Sequence, residues 1–141
     1  MAHSIRTMFL ILISVLPLGK QFVYKAVFGA KIGRNVRIGF GAVLIFQELE
    51  IADHCSIKPL SLVRVHKARL GLRAKIGSLT RITLHSLDLG PSTTIGSQVS
   101  ILSETGDSRC QLSAGAESWI FDYCYINPAR PIRLGRNVGV G

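Results

Sequence analysis

The sequence predicts an all-β fold: a left-handed parallel β-helix of triangular coils, built from hexapeptide repeats and preceded by a short N-terminal helical segment. Three observations predict it. Apolar residues recur 19 positions apart in three separate registers. Between them, short runs alternate apolar and polar residues with period two, the pattern of a strand with one buried face. Each run ends in residues suited to sharp corners.

The first register runs Ile32, Ile51, Leu70, Leu89; the second Ile38, Ile57, Ile76, Ile95; the third Leu44, Val63, Ile82, Ile101. An amphipathic helix repeats every 3.6 residues and cannot produce this. Four residues after each member of the first register stands a small or β-branched residue, Val36, Cys55, Ala74 and Thr93, and a parallel set, Ala42, Ser61, Thr80 and Val99, precedes the third. In Val36-Arg37-Ile38 and Ala74-Lys75-Ile76 the flanking residues face inward and the middle one outward. Gly33-Arg34-Asn35, Gly39-Phe40-Gly41 and Gly96-Ser97-Gln98 follow as corners, where positive φ is needed. Three six-residue units plus one residue make each coil, and stacked coils bury the columns that one coil alone leaves exposed.

The period then loosens. The next start is read at Leu112-Ser113, 23 residues after Leu89, with the surplus in Ser103 to Arg109. The following start is Leu134-Gly135, 22 residues on, with its surplus in Asp122 to Arg130. Extra residues at corners become external loops, where sites tend to lie. Two domains are read: 1–31, apolar or amphipathic, and 32–141, the β-helix, whose last coil reads as unfinished, so that a fragment or a covering partner is expected at that end.

Within the first domain, Met8 to Leu18 is apolar except for Ser14 and is too short to span a bilayer core, which takes about 20 residues. Gln21 to Phe28 reads as an amphipathic helix with Phe22, Val23, Ala26 and Val27 on one face, and Gly29 can end it. Three readings stand: a cap over the end of the core, a peripheral membrane contact through residues 8–28 with Lys20, Lys25 and Lys31 toward anionic headgroups, or a cleaved signal.

Composition narrows the functional classes. The formal charge is +9, which favours acidic partners or phosphate-bearing small molecules, yet no Lys/Arg block or aromatic interleaving suggests nucleic acid. Cys55, Cys110 and Cys124 are widely spaced with no CxxC pair, which suggests neither zinc nor a disulfide framework. Reduced thiols point to a cytoplasmic setting, peripheral to the inner membrane if the N-terminal segment touches lipid. His66 and His85 are 19 apart and stack on adjacent coils, while His54 sits at a corner; three converging imidazoles are not suggested, so no metal is expected. Cys124 reads as interior filler.

Ile32-Gly33-Arg34-Asn35-Val36-Arg37 followed by Ile38-Gly39, Ile95-Gly96-Ser97-Gln98-Val99-Ser100 and Leu134-Gly135-Arg136-Asn137-Val138-Gly139 resemble the bacterial transferase hexapeptide family over roughly residues 30–141. Ser118-Trp119-Ile120, Cys124-Tyr125-Ile126-Asn127 and Arg130-Pro131-Ile132 look like the coil before the active site of its sugar O-acetyltransferases, the galactoside, maltose and colanic-acid group. The resemblance implies a homotrimer that binds acetyl-CoA or another acyl-CoA between neighbouring β-helices. It implies transfer to a sugar hydroxyl in surface polysaccharide or glycolipid synthesis. It also implies a catalytic His as general base, expected just past Gly141. A neutral imidazole can take the hydroxyl proton as the oxygen attacks the thioester, and a backbone donor can hold the oxyanion. Asp122, Tyr125 and Asn127 become the candidate acceptor-binding residues; for Asp122 and Asn127 the competing reading is backbone hydrogen bonding at a corner. The alternative function is a non-catalytic or truncated β-helix acting as scaffold or assembly module.

Overall fold

The structure, a computed structural model, describes residues 2–13, 24 and 29–141, without the side chains of residues 2–4 and 13. It is a parallel β-helix of about six coils with one short helix, α1 (Ala2–Ile13), laid against its first coil.

The coil has three sides. The first stacks β1 (Lys31–Ile32), β4 (Glu48–Ile51), the ends of β6 (Leu62–Leu70) and β8 (Arg81–Leu89), β11 (Gln111–Ala114) and β14 (Ile132–Leu134). The second stacks β2 (Arg37–Ile38), β5 (Ser56–Ile57), β7 (Lys75–Ile76), β9 (Thr94–Ile95), β12 (Trp119–Ile120) and β15 (Gly139–Val140). The third stacks β3 (Val43–Ile45), the starts of β6 and β8, β10 (Ser100–Leu102) and β13 (Tyr125–Ile126). In β6 and β8 the strand runs on around the third corner. The inside–outside alternation slips by one at His66-Lys67 and at His85-Ser86, where two successive residues face outward and the chain bends.

Every pairing between Ile32 and Ile101 keeps the 19-residue step, so Ile32, Ile51, Leu70 and Leu89 form one interior column, and the other two registers form theirs. Nearly all of these side chains are fully buried, each worth about 1.5–3 kcal/mol over its exposed state. The small residues beside them do more than leave room. The hydroxyls of Thr93 and Ser118 and the thiol of Cys55 donate to the carbonyls of Gly115, Gly135 and Gly71 at corners of the next coil, at 3.0, 2.6 and 3.0 Å. In the second small column the Thr80 hydroxyl donates to the Gly96 carbonyl at 2.7 Å, and Cys124 donates to Val140 at 3.4 Å. Corner carbonyls tilted into the core are thereby satisfied from inside. Burial pushes the Cys55 thiol up, and all three cysteines are free.

After Leu89 the register differs from the sequence reading. Leu89 pairs with Ala114, not Leu112, and Leu112 stacks on Leu87. Leu112 and Ala114 both face inward, so leucine was the stronger apolar signal but the smaller residue is the true repeat start. The step is thus 25 residues, and six extra residues sit between β10 and β11. From Ala114 to Leu134 the step is 20, which leaves one extra residue between β13 and β14.

Corners follow a rule that the sequence only half obeys. Asn35, His54, Arg73, Ser92, Glu117 and Asn137 hold positive φ at the first corner, and Gly41, Leu60, Leu79, Gln98 and Tyr123 hold it at the second. Asparagine and glycine adopt this conformation readily, whereas other residues spend about 1 kcal/mol or more on it. Arg73 is exposed and shares its column with Asn35 and Asn137. Arg73→Asn is therefore expected to raise stability by about 0.5–1 kcal/mol, read as a higher melting midpoint.

Of the N-terminal reading, Gln21 to Phe28 lies outside the described residues except for Tyr24, as do Ser14 to Lys20. Gly29 has φ +68°, and the Ala30 amide donates to the Tyr24 carbonyl at 3.1 Å. Tyr24 is buried edge-on to Phe46 with ring centroids 5.7 Å apart, and burial pushes its phenol up to about 12. Lys31 faces outward on β1 opposite Glu50.

Candidate functional site

Coil five carries the candidate acceptor residues. Asp122 stands at the second corner, and its Oδ1 accepts the Ser97 backbone N–H at 2.9 Å. Asp53 does the same for Arg34 at the first corner, at 2.8 Å. This carboxylate is a corner staple through one oxygen, which leaves the other exposed with no hydrogen-bond partner among the described residues. Tyr125 points outward from β13, 66% exposed. Asn127 lies in the lengthened turn after β13, exposed, with its backbone carbonyl accepting from Ala129 at 3.0 Å. Among the described residues no hydrogen bond joins these three side chains to one another. They share one coil but neither a corner nor a pocket: Asn127 stands at the third corner, Tyr125 on the third side and Asp122 at the second corner.

The same corner bears a feature not singled out from sequence. Trp119, Phe121, Tyr123 and Tyr125 are all exposed. Trp119 and Phe121 stack nearly parallel, with centroids 5.6 Å apart and an interplanar angle of 11°. Gly139 lets the Phe121 ring lie flat over the following coil: a Cβ there would come within 3.1 Å of Phe121 Cε2. The four rings form a belt around the second corner, from the outer face of β12 to that of β13. Four aromatic residues within 119–125 were a readable signal of composition, although the corner at Tyr123 puts Tyr125 on a different side from Trp119. The same corner carries exposed Phe40, Leu60 and Leu79 on earlier coils, making an apolar ridge along the helix axis.

Charge is distributed unevenly between the sides. On the first side Lys31, Glu50, Arg69 and Asp88 stack in alternating sign, and Lys67 approaches Glu48 at 3.9 Å. The outer faces of the second and third sides carry Arg37, Lys75, Arg64 and Arg81, and the strand residues on these two sides include no acidic side chain, since Asp88 lies on the first-side end of β8. The positive surplus therefore lies on two sides.

At the third corner His66 and His85 stack with centroids 4.8 Å apart and 7° between planes. His85 Nδ1 lies 2.7 Å from the Thr105 carbonyl, which can only accept, so this nitrogen carries the proton. That bond anchors the inserted loop. Within the loop, Asp107 is gripped by the Arg109 side chain and amide at 2.9–3.1 Å; the hydrogen bonds from that guanidinium hold its carboxyl down at about 2. His54 takes positive φ at the first corner. Among the described residues no group of three His, Cys, Asp or Glu side chains is placed to hold a metal.

Comparison with known proteins adds no identity: no family model and no solved structure matches the chain.

Proposed function

We propose that the chain serves an acyl-CoA-dependent O-acyltransferase, in the first instance an acetyltransferase, acting on a sugar hydroxyl of a surface polysaccharide or glycolipid. The observation that carries the reading is the aromatic belt beside the free carboxylate oxygen of Asp122. Sugar rings present apolar C–H faces that pack on exposed aromatic rings, and hydroxyls that need acceptors. Exposed apolar patches of this kind mark binding surfaces. The phosphates of an acyl-CoA co-substrate suit the positive second and third sides. A homotrimer is part of the proposal, and the Phe40, Leu60 and Leu79 ridge supplies an apolar line on which copies could pack.

One observation favours the second reading, a non-catalytic scaffold. His54 and His66 lie on coil two and His85 on coil three, whereas the belt is on coil five. Two coils span about 10 Å along the axis, so none of these imidazoles is a base for a sugar held at the belt.

Trp119 is the only tryptophan, so its emission reports the belt directly. Titration with hexose and N-acetylhexosamine oligosaccharides is expected to shift that emission, and Tyr125→Ala to weaken binding by about 2–12-fold, the value of one ring contact. Thiol release from acetyl-CoA in the presence of the binding sugar then separates the readings. Sugar binding without CoA binding or turnover favours the scaffold. The absence of both binding and turnover overturns the enzyme reading.

A further inference from the structure

Helix α1 is built the wrong way round for a helix that serves only the core. Ile5, Met8, Phe9 and Leu12 stand at i, i+3, i+4 and i+7, the spacing of an apolar stripe that normally faces inward. Here all four are 53–60% exposed. The inner side is held instead by buried Leu10 and by Arg6, whose Nε donates to the Phe46 carbonyl at 3.0 Å and whose guanidinium lies 5.5 Å from the Phe46 ring centre. At 12 residues the helix is about 18 Å long, against about 30 Å of bilayer hydrocarbon. No helix among the described residues is long and apolar enough to cross a membrane. An apolar stripe on a short helix without acidic residues suits the plane of a membrane surface.

Beneath the helix runs a groove of about 700 Å³, between α1, the third corner of coils one and two, and the inserted loop at Thr105-Gly106. Met8, Ile11 and Ile45 give it an apolar wall, and Arg64 and His66 a basic one. Among the described residues no acidic side chain lines it. Arg64 is exposed, forms no ion pair among the described residues, and shares the third side's outer face with Arg81.

We infer that this groove seats an anionic phospholipid, its acyl chain along Met8, Ile11 and Ile45 and its head-group phosphate at Arg64, and that this lipid and the outer stripe of α1 together dock the β-helix on a membrane. The inference is independent of acyl transfer: it rests on α1 and coils one and two, not on the aromatic belt.

The test is flotation of the full chain with phosphatidylcholine vesicles, with and without phosphatidylglycerol. Selective flotation with the anionic vesicles, declining with salt, is expected. Arg64→Gln is expected to weaken it about fivefold, the contribution of one basic residue near an anionic surface. Phe9→Glu removes part of the stripe without touching the groove, and should release the chain from vesicles while leaving the melting midpoint in place. A phosphatidylglycerol with a photoreactive acyl chain should cross-link within 45–47 or 64–66. Equal binding to neutral vesicles, no vesicle binding, an unaffected Arg64→Gln variant, or cross-links that avoid both segments would each overturn the proposal.

Discussion

Ile95→Asp is expected to abolish folding, whereas Thr94→Asp, one residue earlier in β9, is expected to leave stability unchanged or slightly raised. Ile95 is wholly buried, stacked between Ile76 and Ile120 in the second interior column. A carboxylate there loses its hydration with no cation or donor to replace it, an effective penalty of several kcal/mol for the ion. The lost isoleucine contacts add about 2–5 kcal/mol more. Together these match the whole stability of an ordinary domain, about 5–15 kcal/mol. Thr94 points the other way, and its partner across the coil step is Lys75. Directly opposed opposite charges contribute about 0.2–1 kcal/mol. Circular dichroism and urea melts of the two variants check the pair. Similar behaviour of the two would mean that the alternation at β9 is not as described.

The regular half of this fold was legible for a physical reason. Between Ile32 and Ile101 every coil buries the same columns, so selection for one interior writes the same residue classes every 19 positions. Where the coil lengthens, that constraint weakens. Leu112 and Ala114 both point inward, and pattern alone favours the larger apolar residue, although the backbone ladder places Ala114 on Leu89. The corners were legible where Asn35 and Gly41 stand and not where Arg73, Leu60 or Leu79 take the same conformation, because tertiary stacking overrides local preference there. Helix α1 was legible only as an apolar segment from Met8, because helical periodicity there identifies a stripe but does not say which way it faces. The groove was invisible for a different reason again. Its walls come from residues 6–8, 10–11, 45–47, 64–66 and 105–106, which no local pattern connects. Of the acceptor candidates, the corner-staple bond of Asp122 was foreseeable from its place in a turn, while the aromatic belt was written in the sequence only as a cluster of rings at 119, 121, 123 and 125.

A solenoid should also distribute its stability unevenly, and Ile82→Ala set against Ile126→Ala tests this. The two residues stand in the same interior column, linked through Ile101. Ile82 is 0% exposed, with Val63 and Ile101 above and below. Truncation leaves a cavity that the ladders on either side hold open, and a loss of about 3 kcal/mol is expected. Ile126 is only half-buried and packs against the core from one side. Its truncation should cost about 1 kcal/mol, since it forfeits fewer contacts and the site can relax. Because each coil touches only its neighbours, the effects should also differ in reach. Ile82→Ala should speed amide exchange on both flanking coils, and Ile126→Ala only beyond β11. If the two variants lost equal stability, or if exchange rose uniformly along the chain, the β-helix would behave as one cooperative block rather than a stack of coupled coils.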